Sequence, residues 1–125
     1  MIFDTDVLIW FERGHPDAAR LINDADTRYV SVFSCMEFFQ GARNRQHLAT
    51  LQDFLTSMDF VILPLTESIG HRALIYIEEY SLTHGLSAAD ALVAATAAEN
   101  NLTLVSSNAK HFRAIKDLSF NRFTP

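Results

Sequence analysis

Short apolar, β-prone runs recur at residues 1–3, 28–32, 60–63, 103–105 and 120–123, and longer helix-patterned segments separate most of them. That alternation is the pattern of an α/β domain, a central and mainly parallel sheet covered by helices. Helices are expected over 6–13, 16–24, 34–43, 46–58, 67–83 and 88–100, with a short one near 109–115. The punctuation is clearest in the third quarter. Ile69, Ala73, Ile77 and Tyr80 form one apolar helical face that runs to His84-Gly85, where glycine suits a left-handed C-terminal cap. Ser87 then starts a new, alanine-rich helix that can pack closely on a sheet.

Three carboxylates fall at the junctions this arrangement creates. Asp4 ends the first apolar run, while Glu37 and Asp90 occupy the fourth positions of Ser34-Cys35-Met36-Glu37 and Ser87-Ala88-Ala89-Asp90, both matching a helix-start capping box. In an open α/β sheet, ligands bind beyond the carboxyl ends of the strands. Asp4, Glu37, Asp90 and the polar run Ser106-Ser107-Asn108 would then share one sheet edge.

Converging carboxylates suit a hard divalent cation such as Mg²⁺ or Mn²⁺, which takes oxygen ligands and can activate water toward a phosphodiester. Taken singly, Glu37 and Asp90 are better explained as capping-box acids that satisfy backbone N–H groups and complement a helix dipole; their shared placement at the strand ends is what favours a site. Asp4 is less easily explained so, because a carboxylate directly after a buried strand is costly unless it is paired or bound to metal. The five histidines show no paired spacing that would suggest zinc. Phe33, Phe38, Phe39, Phe54 and Phe60 read as core or dimer interface rather than a base-stacking platform.

Composition narrows the classes. With 125 residues and 49% apolar content, the chain is expected to form one compact domain over 1–125. A net charge of −5 argues against a general nucleic-acid coat protein but not against a nuclease, whose bound cations reverse the local field. The single cysteine, Cys35, and the absence of a leader-like N-terminus suggest a soluble cytoplasmic protein. No stretch approaches the roughly 20 apolar residues of a membrane span.

Four segments in register extend the reading. They are Ile2-Phe3-Asp4-Thr5-Asp6-Val7-Leu8-Ile9, the run from Ser31 through Glu37 to Ala42, the run from Leu86 through Asp90 to Ala97, and Leu102-Thr103-Leu104-Val105-Ser106-Ser107-Asn108-Ala109-Lys110-His111-Phe112. Together they resemble a PIN domain of the VapC toxin type over essentially the whole chain. The resemblance implies a three-layer α/β/α fold and a Mg²⁺- or Mn²⁺-dependent endoribonuclease, the toxin of a toxin–antitoxin pair, which is neutralised by a cognate antitoxin and is expected to form a homodimer.

On that resemblance Asp4, Glu37 and Asp90 are the metal-site and catalytic acids, and Ser106 is the hydroxyl placed beside them. The family commonly carries a further acid near position 108, where this chain has Asn108, so a second ion is not implied; Asp6 is the candidate replacement. Arg43, Arg45 and Lys110 are candidate RNA contacts, although helix-end charges explain Arg43 and Arg45 as well. Two rivals remain at this level. Asp4-Thr5-Asp6-Val7 also resembles the start of a haloacid-dehalogenase-like phosphatase, which would leave Glu37 and Asp90 unemployed. A degenerate PIN domain that only binds RNA or protein has no use for mutually repelling acids.

Overall fold

The computed structural model describes residues 1–125. The elements follow the order β1 (Ile2–Phe3), α1 (Thr5–Glu12), α2 (Pro16–Asp24), β2 (Arg28–Ser31), α3 (Val32–Gln40), α4 (Arg45–Ser57), β3 (Phe60–Leu63), α5 (Glu67–His84), α6 (Ala88–Glu99), β4 (Leu104–Ser106), α7 (Ala109–Phe112) and β5 (Phe120–Arg122). The five strands form one sheet in the order β3-β2-β1-β4-β5, and every pairing is parallel. The expected mainly parallel sheet is thus wholly parallel.

Side chains alternate across a strand, so even the two residues of β1 face opposite ways. Ile2 and Leu104 enter a core built with Ile69, Ala73 and Tyr76 of α5 and the Ala91–Ala97 stretch of α6. Phe3 and Val105 enter a second core with Val7 and Leu8 of α1, Ile22 of α2, Phe38 of α3 and Leu51 of α4. Two buried cores on either face of one sheet make the three layers α/β/α. Phe38 lies in the second core with Phe54 and Phe60 packed on it, so these rings are structural and not a base platform.

Strand order also locates the crevice. From β1 the chain moves outward to β2 and β3, then crosses back to place β4 on the other side of β1. The β1/β4 boundary is therefore the switch point, where helices leave the sheet on opposite faces and a gap opens beyond the strand ends. Asp4 lies at that gap. Its backbone N–H donates to the Val105 carbonyl at 3.0 Å, continuing the β1/β4 ladder one residue past Phe3.

Local signals around α5 and α6 behave as expected. Gly85 has φ 68° and closes α5, its N–H donating to the Ser81 carbonyl at 2.9 Å. Ser87 caps α6, its Oγ accepting from the Asp90 N–H at 3.1 Å.

The start of α3 differs from expectation. Ser31 is the cap, its Oγ accepting from the Ser34 N–H at 2.9 Å, so the helix begins at Val32 and not near Ser34. Ser34 lies within the helix with its Oγ buried and unpartnered. Glu37 is consequently in the second turn of α3 and not at a capping-box position. The cause is the absence of any loop after β2: the strand's last residue is itself the cap.

Candidate active site

Asp4, Asp6, Glu37, Asp90, Ser107 and Asn108 line one cleft of about 330 Å³ at the switch point, and no Lys or Arg lines it. Four separated segments supply these groups: the start of α1, the second turn of α3, the first turn of α6 and the chain leaving β4. Asp4, Glu37 and Asp90, expected from the sequence to share one sheet edge, all line this cleft.

Each acid is held by a different neighbour. Asp4 caps α1, accepting from the Thr5 N–H at 2.9 Å, and its second oxygen accepts from Ser106 Oγ at 2.8 Å. Ser106, at the end of β4, is fully buried, and its Oγ also accepts from the Asn108 N–H at 3.1 Å. Asp6 accepts from the Ser107 N–H at 2.9 Å and from Ser107 Oγ, which ties α1 to the chain after β4. Glu37 accepts from Thr5 Oγ1 at 2.8 Å, a bridge from α1 to α3. Asp90 Oδ2 lies 3.0 Å from His111 Nδ1 and accepts from Asn108 Nδ2 at 3.4 Å.

Held apart in this way, no three acidic, histidine or cysteine side chains close on a single point. The donor set still fits a hard cation. The polar lining is carboxylate, hydroxyl and amide oxygen, with no fixed positive charge to balance it. Mg²⁺ keeps several waters and reaches one or two carboxylates directly, so a cleft of spaced acids suits it better than a tight protein cage.

Electrostatics point the same way. Burial pushes the Asp4 carboxyl well above the ordinary range, and the nearby Asp6 and Asp90 charges add to the rise; the Ser106 and Thr5 hydrogen bonds only partly offset them, leaving it at about 7. A cation in the cleft would relieve both burial and repulsion.

The other sequence candidates separate. Lys110 lies outside the acidic cleft, in the hollow next to it. Arg43 lines a separate hollow with Glu12 and His47, and neither Arg43 nor Arg45 lines the acidic cleft. Two groups that hold the acids carry no distinguishing sequence pattern, Thr5 and His111, whereas Ser107 belongs to the polar run expected at this edge. Thr5 is the more instructive, because a hydroxyl at a helix entrance is ordinarily a cap, yet here Asp4 takes the cap and frees Thr5 to reach Glu37. Thr5→Val, which keeps the shape and removes the hydroxyl, is expected to cost about 1–2 kcal/mol in urea unfolding and to slow turnover roughly tenfold by releasing Glu37. Unchanged turnover would remove Thr5 from the site.

A parallel α/β sheet with a cleft at its switch point is an open α/β domain whose ligand-binding edge here carries carboxylate, hydroxyl and amide oxygens. The PIN domain family model matches residues 1–118, and the chain belongs to that family. Ribonuclease VapC19 of Mycobacterium tuberculosis (strain ATCC 25618 / H37Rv) is 30% identical over 122 residues, covering 94% of this chain and 95% of that protein. A toxin–antitoxin complex from Klebsiella pneumoniae contains a chain similar to this one, with TM-score 0.78 and 26% identity over 94% of this chain and 93% of that one. VapBC2 from Rickettsia felis, bound to a DNA fragment from its promoter, shares the fold at TM-score 0.81 and 21% identity, covering 99% and 100% of the two chains.

Proposed function

We propose that this protein is the ribonuclease toxin of a toxin–antitoxin pair, hydrolysing RNA phosphodiester bonds with Mg²⁺ or Mn²⁺ held by Asp4, Glu37 and Asp90. The carrying observation is the cleft at the β1/β4 boundary, which Asp4, Asp6, Glu37 and Asp90 line with no cationic side chain among them. Family membership and the 30% identity to a ribonuclease support the same reaction.

When bound, the ion supplies Lewis-acid activation of water and neutralises charge that develops on the phosphate. The chain's own residues supply position. Ser106 fixes Asp4, Thr5 fixes Glu37, and His111 with Asn108 fixes Asp90, so each ligand is oriented by an outer partner. Asp6 clamps Ser107 and so keeps the chain after β4 against α1.

The phosphatase alternative loses its footing. Glu37 and Asp90 line the acidic cleft, whereas Lys110, the lysine it would require there, lies outside. A protein antitoxin is the proposed partner, in keeping with the toxin–antitoxin complexes among the similar structures. A homodimer is also proposed, for which exposed Leu74, Ile75 and Leu82 of α5 supply apolar surface. No helix is long and apolar enough to cross a membrane; action in the cytoplasm belongs to the proposal.

Cleavage of labelled RNA tests the reaction. Activity should require Mg²⁺ or Mn²⁺, vanish with EDTA, and fall to background in Asp90→Asn. RNA binding without cleavage under all metal conditions would instead favour a binding-only domain, and turnover of a small phosphomonoester would favour a phosphatase.

A further inference from the structure

The acidic cleft has a larger neighbour, a cleft of about 650 Å³ formed by the end of α5, α7 with the turn after it, and β5. Ser107 and Asn108 line both clefts, so only the chain leaving β4 separates them. A volume in the range of ~300–1,000 Å³ accommodates organic ligands and not merely an ion.

The charge of this cleft reverses that of its neighbour. Lys110, Arg113 and Arg122 line it together with His84, and no Asp or Glu does. All three cations are exposed, and none has a carboxylate partner within 4.0 Å. The whole chain carries 10 Lys and Arg against 15 Asp and Glu. Gathering three unpaired cations in one hollow of such a chain costs mutual repulsion, which dispersed surface charge would avoid.

The cleft has no Phe, Tyr or Trp in its lining, and its apolar residues are Ala109 and Ala114. It therefore lacks the large aromatic platform on which successive bases stack. It offers arginine forks and an ammonium, groups that match phosphate oxygens whatever the base.

We propose that this basic cleft binds the backbone phosphates of single-stranded RNA beside the scissile bond, so that the strand passes from it over Ser107 and Asn108 into the acidic cleft. The inference rests on the ribonuclease function of the acidic cleft and adds where the strand lies. Base preference is then set elsewhere, and the cleft contributes affinity that depends on salt.

The test is a Lys110→Gln, Arg113→Gln, Arg122→Gln triple variant compared with a charge-matched control, Arg13→Gln, Arg20→Gln, Lys116→Gln, whose side chains lie outside both clefts. Binding of a fluorescent single-stranded oligoribonucleotide is measured by anisotropy in an Asp4→Asn background between 50 and 200 mM salt, chosen as about the range where counterion release dominates. The cleft variant should flatten the slope of log affinity against log salt by about 2, at ~0.7 for each phosphate no longer neutralised, and the control should not. In the otherwise wild-type chain, KM for an extended oligonucleotide should rise while kcat holds, and cleavage of a dinucleotide should be unchanged.

Equal slopes in the cleft variant and the parent, or equal losses in cleft variant and control, would overturn the proposal. So would loss of polyglutamate binding with RNA binding intact, which would assign the cleft to an acidic protein segment. If the parent chain cleaves RNA and the cleft variant matches it at every length, only the strand path fails. If the parent cleaves no RNA, the ribonuclease function itself fails.

Discussion

Asp4→Asn should lower RNA cleavage about 10³-fold while leaving the fold intact, since losing the several kcal/mol a well-placed cation contributes amounts to about three decades in rate. The substitution is narrow. An asparagine oxygen still accepts from the Thr5 N–H, which preserves the cap on α1, and the backbone bond to Val105 is untouched. What disappears is one negative charge at the switch point and the acceptor for Ser106 Oγ, which the amide replaces with a donor. Single-turnover cleavage with saturating Mn²⁺, paired with a calorimetric Mn²⁺ titration, separates lost chemistry from lost metal. Cleavage within about threefold of wild type would remove Asp4 from the mechanism, whatever the titration showed.

The same residue should make metal-free stability depend on pH in an unusual direction. The folded-state carboxyl sits at about 7, whereas an unfolded aspartate sits near 3.9. Below about pH 4 both states hold the proton and Asp4 is neutral to stability. Between the two values only the folded state holds it, so stability falls as pH rises, by up to roughly 4 kcal/mol once the folded pKa is passed.

Wild type in EDTA should therefore unfold at lower urea at pH 8 than at pH 5, relative to Asp4→Asn, whose amide cannot titrate. Mn²⁺ should restore wild-type stability at pH 8 and do little at pH 5, where the carboxyl is protonated. Parallel pH profiles for wild type and Asp4→Asn would show that burial and the neighbouring acids do not burden this carboxyl.

Asp4 is legible in the sequence because its problem is local: a charge that immediately follows a buried strand must be compensated by something. Asp90 is legible through Ser87, which opens a four-residue stretch that carries its own cap. Glu37 stands out by a pattern that is not the one it obeys. Ser34-x-x-Glu37 has the composition of a capping box, but Ser31 captures the helix start three residues earlier because β2 runs into α3 without a loop. Its place at the cleft comes instead from tertiary packing of α3 beside α1, through Thr5.

The groups that hold the acids are harder to find for one physical reason. Thr5 and Glu37 are 32 residues apart, His111 and Asp90 are 21 apart, and Ser107 and Asp6 are 101 apart, so their pairing depends on strand order. Alternating strands and helices establish a parallel sheet, but they leave open whether β4 lies beside β3 or beside β1. Arg122 illustrates the same gap: as an exposed residue near the end of the sequence it has no distinguishing pattern, and only the β4/β5 pairing brings it to a cleft shared with Lys110 and Arg113.

The bond between Ser106 and Asp4 spans 102 residues of chain. During biosynthesis at the usual ~5–20 residues per second, on the order of 5–20 s therefore pass between the ribosome adding the first of these residues and the second. Through that interval the growing polypeptide carries Asp4, then Glu37, then Asp90, with no β4 to seat the first acid. The proposed ribonuclease would thus be assembled next to a machine made of RNA with its candidate site incomplete until β4 can dock, a delay written into topology alone.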